Sequence, residues 1–166
     1  MPKWTEEGKP VTTKPGSYPE GTFTSKRRSE LLSTKADVLN AINDENVILI
    51  NSLTEADFNG DTDTYKRSGH IPGSVNVFFG DHYDAKTREL YNEVKLRETF
   101  DKVGALDPNN KVITYCGSGI AATWNALILN KLGQQNVAMY DGSMTVWAQD
   151  PSLPLDKVKS NSSLSF

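Results

Sequence analysis

The sequence predicts a single α/β domain built on a parallel sheet with helices on both faces. Short runs that are apolar throughout, such as Val47–Ile50 and Val137–Tyr140, alternate with helix-like segments. Strands that are apolar at every position are typical of parallel sheets covered on both faces. A length of 166 residues with 37% hydrophobic residues suits one domain with a sizeable core.

The elements follow one another along the chain in a regular alternation. Strands are predicted at 47–50, 74–77, 111–115 and 137–140. Helices are predicted at 35–42, 54–58, 92–103, 121–132 and 144–148. Ser33 or Thr34 is the expected N-cap of the first helix, and Leu96, Phe100 and Val103 share one face of the third. Between the predicted helix at 54–58 and the predicted strand at 74–77, residues 59–68 are polar and loop-like.

The first 22 residues are predicted to be an extended linker, since they hold four of the eight prolines and no periodic pattern. They contain one copy of a partial internal repeat, because the spacing from Trp4 to Pro10 resembles that from Trp147 to Pro154. We interpret the first copy as the remnant of a preceding, homologous domain in a tandem repeat. The expected organisation is a linker and remnant over 1–22, a domain over 23–156 and a polar tail over 157–166.

Composition excludes several function classes. The 18 basic and 21 acidic residues are well mixed and give a net charge of −3, so no nucleic-acid or anionic-membrane surface is expected. No apolar run approaches the ~20 residues of a membrane span. A single cysteine forms no internal disulfide and suits a reducing compartment, so a cytoplasmic or mitochondrial location is expected. The two histidines and one cysteine lack metal-ligand spacing, and no metal or other cofactor is expected.

Cys116 is the candidate nucleophile. It lies between a predicted strand and a predicted helix, followed by Gly117, Ser118 and Gly119. The glycines let successive backbone N–H groups turn inward, and the start of a helix adds partial positive charge, so the thiolate is favoured over the thiol. The alternative is a buried cysteine that only fills the core. A structural cysteine has no need of a Gly-x-Gly turn, which favours catalysis.

The histidines and tryptophans are predicted to be structural. His70 stands in Gly69–Gly73, before a predicted strand, where it is expected to fix a turn, whereas active sites of parallel sheets lie at the strand exits. His82 is expected to be solvent-exposed in a polar loop. Trp124 and Trp147 fall on predicted helices and are expected to be core or domain-contact residues.

Three segments together resemble the rhodanese-like sulfurtransferases, and specifically the second, catalytic domain of tandem 3-mercaptopyruvate and thiosulfate sulfurtransferases. They are Ser68–Val77 with its Gly-His-Ile-Pro-Gly core, the loop Cys116–Ala122, and Tyr140–Ser143 with Trp147. The resemblance covers roughly residues 23–156. It implies a three-layer fold with a five-stranded parallel sheet flanked by helices on both faces. It also implies a preceding N-terminal domain of the same kind.

The resemblance implies a mechanism and a set of site residues. Cys116 would take sulfane sulfur from a small donor and hold it as a persulfide for a thiol or cyanide acceptor, with thioredoxin or glutathione as candidate thiols. Ser118 would assist proton transfer or polarise the donor carbonyl; its alternative is a turn residue or helix cap. The persulfide cradle would comprise Gly117, Gly119, Ile120, Ala121 and Ala122. A loop without Arg or Lys favours 3-mercaptopyruvate over thiosulfate.

The sequence departs from the family at the donor side. Asn51–Leu53 stands where relatives commonly have Asp-x-Arg, and Asp57 stands where close relatives carry an arginine that clamps the donor carboxylate. Lys66 or Arg67 is a candidate replacement, with an exposed basic turn as the alternative. These departures keep a second function open, a catalytically weak or regulatory rhodanese-like module. A third candidate function is a cysteine phosphatase, which needs an arginine six residues after the cysteine to bind phosphate. This chain has Ala122 at that position, which argues against a phosphatase.

Overall fold

The computed structural model describes residues 2–158, and its centre is a five-stranded sheet. The strands are β1 (Leu32–Ser33), β2 (Val47–Asn51), β3 (Val75–Asn76), β4 (Lys111–Tyr115) and β5 (Val137–Tyr140). Their order across the sheet is β1-β5-β4-β2-β3, and every neighbouring pair is parallel. The predicted parallel α/β class is therefore confirmed.

Six α-helices occur within residues 2–158. They are α1 (Pro2–Glu6), α2 (Lys35–Ala41), α3 (Glu55–Asn59), α4 (Glu93–Asp101), α5 (Ile120–Lys131) and α6 (Ser143–Trp147). Thr34, Thr54 and Asn92 cap α2, α3 and α4, each accepting the N–H of the residue three positions on. Helices α2 to α6 match the five predicted helices to within two residues at each end.

The sheet is covered on both faces. Alternate residues of its central strands point to opposite faces and belong to two separate apolar clusters. The cluster at α2 and α6 includes Val38, Leu49, Ile113, Met144 and Trp147. The cluster at α4 and α5 includes Ile50, Leu96, Phe100, Val112 and Ile128. The full burial of Trp147 agrees with its predicted core role. Val103 lies beyond the end of α4 yet still packs on the second cluster.

Strand β1 was not predicted from the residue pattern. It has two residues, of which Leu32 is exposed and Ser33 buried, and it pairs with Met139 and Tyr140 of β5. So short a segment has no measurable periodicity, and its strand character depends on the neighbour it pairs with. The resemblance alone implied a fifth strand.

The N-terminal segment differs from the extended linker predicted for it. Residues 2–6 form α1, while residues 9–28 are exposed and contain no helix or strand. The indole Nε1 of Trp4 donates to the Pro10 carbonyl at 2.9 Å, and that of Trp147 donates to the Pro154 carbonyl at 2.8 Å. The two tryptophan segments that resemble each other in sequence therefore also form the same hydrogen bond. Trp147 is fully buried, however, whereas Trp4 is 46% exposed.

Candidate active site

Cys116 follows the last residue of β4 directly and precedes α5 by four residues. It therefore lies at the carboxyl end of a central parallel strand, where such sheets bind their ligands. The residue is only 2% exposed, yet it is one of the residues lining a cavity of about 910 Å³. The thiol is thus recessed in a cavity that is large enough for a small-molecule substrate.

The start of α6 anchors the cysteine. The Cys116 N–H donates to Ser143 Oγ at 3.1 Å, and the Cys116 carbonyl accepts the Met144 N–H at 2.9 Å. Ser143 Oγ in turn donates to the Tyr140 carbonyl at 2.8 Å. Ser143 is held at a φ of +47°, a strained conformation for a serine. Its positioning role was missed by the sequence analysis, which used Tyr140–Ser143 only as a family signal.

The loop after the cysteine presents unpaired donors. The six backbone N–H groups of residues 117–122 have no acceptor within the part of the chain that the structure describes. Those of Ile120, Ala121 and Ala122 belong to the first turn of α5, whose N–H groups lack intrahelical partners. Together with the helix dipole they can stabilise an anion beside Cys116.

Two glycines make this loop possible. Gly119 has a φ of +87°, and a Cβ there would lie 2.7 Å from Asp141 Oδ1. A Cβ on Gly117 would collide with the Tyr65 hydroxyl, so the tyrosine packs directly on the loop backbone. Partial burial raises the pKa of Tyr65, and the nearby charges of Asp57 and Cys116 raise it further. Its hydroxyl is therefore protonated at neutral pH.

The predicted cradle residues do not all face the cavity. Gly117, Ser118, Ile120 and Ala121 line it, with Ser118 and Ile120 exposed. Gly119 and Ala122 are buried, and the Ala122 carbonyl accepts a hydrogen bond from Thr114 Oγ1 at 3.1 Å. The Ser118 hydroxyl makes no hydrogen bond within residues 2–158 and is available to a ligand.

The cavity walls are largely apolar. They are formed by Leu53, Phe79, Tyr83, Ala85, Leu90 and Trp124 together with the loop. Arg88 is the one charged side chain among the lining residues in the described part of the chain. Sequence reasoning missed Arg88 because it stands in a polar turn far from Cys116, with no local pattern that marks it.

Arg67 and Lys66 lie outside this cavity. The Arg67 guanidinium donates to the carbonyls of Trp147, Ala148, Asp150 and Leu153, which fixes the chain after α6. Lys66 is exposed and lines a separate depression with Lys157. Neither side chain is placed beside Cys116, and the contacts of Arg67 are those of a structural residue.

Asp57 has its own set of partners. Burial acts to raise its pKa, but hydrogen bonds from the hydroxyls of Thr62, Thr54 and Thr64 outweigh this and lower it. The carboxylate is therefore satisfied by three threonines. Leu53, two residues after β2, contributes an apolar surface to the cavity.

His70 fixes a turn, as the sequence indicated. Its ring stacks on Phe58 with centroids 3.8 Å apart, and its Nδ1 lies 2.7 Å from the Phe58 carbonyl. Its backbone pairs with Asp156 in both directions at 2.9 Å. His70 is absent from the lining of the Cys116 cavity.

The prediction that His82 is exposed is wrong. His82 ends a 3-10 turn over Phe79–His82, is fully buried and stacks on Phe100 at 5.1 Å. Its Nε2 lies 2.7 Å from Asn125 Oδ1. Asn125, on α5, also donates to Ser52 Oγ and to the Val77 carbonyl. This buried network connects α5 to the ends of β2 and β3. It could not be predicted from sequence, because the residues next to His82 in the chain are polar.

The network fixes the tautomer of His82. Because the Asn125 amide nitrogen donates to two acceptors, its oxygen must accept, so Nε2 of His82 carries the proton. Nδ1 is buried and has no partner within residues 2–158. Burial lowers the pKa of His82 from its ordinary value of 6.5, although the bond to Asn125 and the charge of Asp81 oppose this.

We therefore expect stability to fall as the pH drops below 6.5, because the unfolded chain then binds a proton that the folded chain refuses. The slope from this one group is at most about 1.4 kcal/mol per pH unit. His82→Gln keeps a donor for Asn125 and should flatten this part of the profile. Urea unfolding from pH 5 to 8 measures the difference. Parallel profiles for the two proteins across this range would contradict the assignment.

No cluster of three or more metal-ligating His, Cys, Asp or Glu side chains occurs within residues 2–158. Likewise, no helix in that range is both long enough and apolar enough to cross a membrane. Among the groups that line the cavity, the thiol, the loop N–H groups, the Ser118 hydroxyl and Arg88 can interact with a ligand.

Comparisons with known proteins identify relatives of this chain. The chain is 34% identical over 144 residues to the mitochondrial thiosulfate/3-mercaptopyruvate sulfurtransferase 1 of Arabidopsis thaliana, covering 85% of this chain and 38% of the relative. It is 32% identical to the 3-mercaptopyruvate sulfurtransferase of Escherichia coli K12, covering 85% and 50%, and 30% identical to the thiosulfate sulfurtransferase of Gallus gallus, covering 87% and 50%. The chain thus spans half or less of the length of these relatives.

A structure of EanB in complex with hercynine superposes on 95% of this chain and 39% of its own length, with a TM-score of 0.81 at 19% identity. That likeness shows the fold. The profile of the rhodanese-like domain matches residues 34–150, from the cap of α2 to just beyond α6. The chain is therefore a member of the rhodanese-like family.

Proposed function

We propose that this chain is a sulfurtransferase domain that moves sulfane sulfur from a small donor to a thiol through a persulfide on Cys116. The observation that carries the proposal is the row of N–H groups over residues 117–122, beside the single cysteine, which find no acceptor among residues 2–158. Both the attacking thiolate and the product persulfide are anions at this position, and both gain from these donors. The names of the relatives support the same activity.

In the first step, the Cys116 thiolate attacks the sulfur of 3-mercaptopyruvate. The new S–S bond forms as the C–S bond of the donor breaks, and the electron pair leaves on the donor carbon as the enolate of pyruvate. That enolate takes up a proton to give pyruvate. With thiosulfate the same attack would release sulfite. In either case, Cys116 holds the transferred sulfur as a persulfide.

The chain's own groups assist this step at both ends of the breaking bond. The loop N–H groups stabilise the sulfur anion, and the anchored Ser143 fixes the position of Cys116 by accepting its N–H. Ser118 exposes a hydroxyl to the cavity, where it can donate to the oxygen that becomes the enolate.

The second step returns the thiol. An acceptor thiolate attacks the outer persulfide sulfur, which leaves Cys116 and becomes the acceptor's persulfide. Thioredoxin or glutathione supplies such a thiol in the cytoplasm or in mitochondria, the compartments that a free cysteine favours. Since the enzyme alternates between two covalent states, the kinetics should be ping-pong.

We further propose that residues 2–10 are the closing segment of a preceding rhodanese-like domain. The support is the shared hydrogen bond, in which Trp4 and Trp147 each donate to the carbonyl of a proline that follows. In the second copy this bond closes a domain on a buried tryptophan. The short coverage of the relatives agrees with a tandem arrangement.

Intact mass spectrometry tests the function. Incubation with 3-mercaptopyruvate or thiosulfate should add one sulfur atom to the wild type and none to Cys116→Ser. Iodoacetamide labelling of untreated protein serves as the control that the thiol is reactive. If neither donor adds sulfur to a protein that iodoacetamide still labels, the sulfurtransferase proposal fails, and the alternative of a catalytically weak or regulatory module gains support.

A further inference from the structure

Arg88 is one of the residues that line the Cys116 cavity, and it is exposed. No hydrogen bond or ion pair of its guanidinium occurs within residues 2–158. Arginines with a structural role usually donate their hydrogen bonds to carbonyls or carboxylates of the protein. Arg67 does so here with four carbonyls. An unpaired guanidinium over an otherwise uncharged, largely apolar cavity is instead available to an anionic ligand.

The turn that carries Arg88 is held by several hydrogen bonds. Asp84 accepts the N–H groups of Lys86 and Thr87 at its carboxylate, and its carbonyl accepts the Arg88 N–H at 2.7 Å. An antiparallel bridge between Tyr83 and Leu90 closes the turn, and both of these residues line the cavity as well. The base of the turn is therefore part of the cavity wall.

Arg88 itself is strained. Its φ is +58°, in the left-handed region that glycine or asparagine adopts readily and arginine rarely does. A side chain kept at such a position, where glycine would relieve the strain, is often one that a functional site needs. Lys86, two residues away in the same turn, has an ordinary backbone and is absent from the cavity lining.

We propose that Arg88 is the anion-binding residue of the Cys116 cavity and receives the carboxylate of a mercaptocarboxylate donor. The identity of the anion as a sulfur donor rests on the proposed function above. The planar guanidinium suits bidentate pairing with a carboxylate. One cation near one reactive thiol fits a donor with a single carboxylate. Lys66 and Arg67, the candidates from sequence, lie elsewhere.

Two alkylating probes of nearly equal size test the anion site without any sulfur transfer. Iodoacetate carries a carboxylate where iodoacetamide carries a neutral amide, and both label Cys116. In Arg88→Gly, which glycine's freedom at this φ should leave folded, we expect the iodoacetate rate to fall roughly 10-fold while the iodoacetamide rate stays within about twofold. Lys86→Gln removes one charge from the same turn and should change neither rate. An unchanged ratio of the two rates in Arg88→Gly would overturn the proposal.

The donor reaction supplies the second readout. With 3-mercaptopyruvate, Arg88→Gly should raise KM by roughly 10- to 100-fold, and Arg88→Lys should recover part of the loss. An unchanged KM in Arg88→Gly would show that the donor carboxylate binds elsewhere and would overturn the donor assignment. If the wild type accepts no sulfur at all, the proposed function fails, while the alkylation ratio still decides whether Arg88 binds anions.

Discussion

Replacing Gly119 with alanine should slow persulfide formation on Cys116 by roughly 100-fold or more, the typical cost of losing a preorganised N–H donor. The φ of +87° is unfavourable for alanine, and the new methyl group would lie 2.7 Å from Asp141 Oδ1. The loop must therefore rotate, and its N–H groups no longer converge beside the thiol. The measurement is the rate of sulfur gain by intact mass under single-turnover conditions.

Gly104→Ala is the matched control. Gly104 also has a positive φ, +71°, but lies in a turn after α4, where the nearest atom to a new Cβ is 3.9 Å away. Alanine there should cost about 1 kcal/mol of stability with no change in the persulfide rate. If both variants react as fast as the wild type, the conformation of the loop is not what supports the chemistry.

The second large effect concerns stability. Asn125→Leu should lower the free energy of unfolding by about 3 kcal/mol or more, because it leaves three buried groups without partners at about 1–3 kcal/mol each. Those groups are the Nε2 of His82, the hydroxyl of Ser52 and the carbonyl of Val77. The measurement is urea unfolding followed by circular dichroism.

Asn130→Leu, on the exposed side of the same helix, is the control and should change stability by less than about 0.5 kcal/mol. A similar loss in the two variants would mean that leucine disturbs the helix itself. A loss below about 1 kcal/mol in Asn125→Leu would mean that water or rearrangement satisfies the three groups.

The parts of the site that are contiguous in sequence could be predicted. Cys116 and its glycines form a local pattern, and the residue types alone indicate a turn between strand and helix with inward N–H groups. The same holds for the helices capped by Thr34 and Thr54. These features depend on neighbours a few residues apart, whose interactions are governed by spacing.

The parts formed by distant residues could not. Ser143 contacts Cys116 across 27 residues, and Arg88 reaches the cavity through a turn whose sequence is merely polar. His82 was assigned to solvent because its sequence neighbours are polar, whereas its environment is set by Phe100 and Asn125 from other elements. Similarly, Arg67 is a candidate donor-binding residue or part of an exposed basic turn from sequence, but its four acceptors are Trp147 at the end of α6 and three residues after it. Such contacts are decided by tertiary packing.

A chase experiment tests whether Cys116 carries sulfur between a donor and an acceptor. Protein loaded with 3-mercaptopyruvate is freed of donor, mixed with reduced thioredoxin or glutathione, and followed by intact mass. We expect the added sulfur to leave Cys116 and to appear on the acceptor in equal amount. A loaded protein that keeps its sulfur with both thiols would show that Cys116 does not pass sulfur to a thiol acceptor.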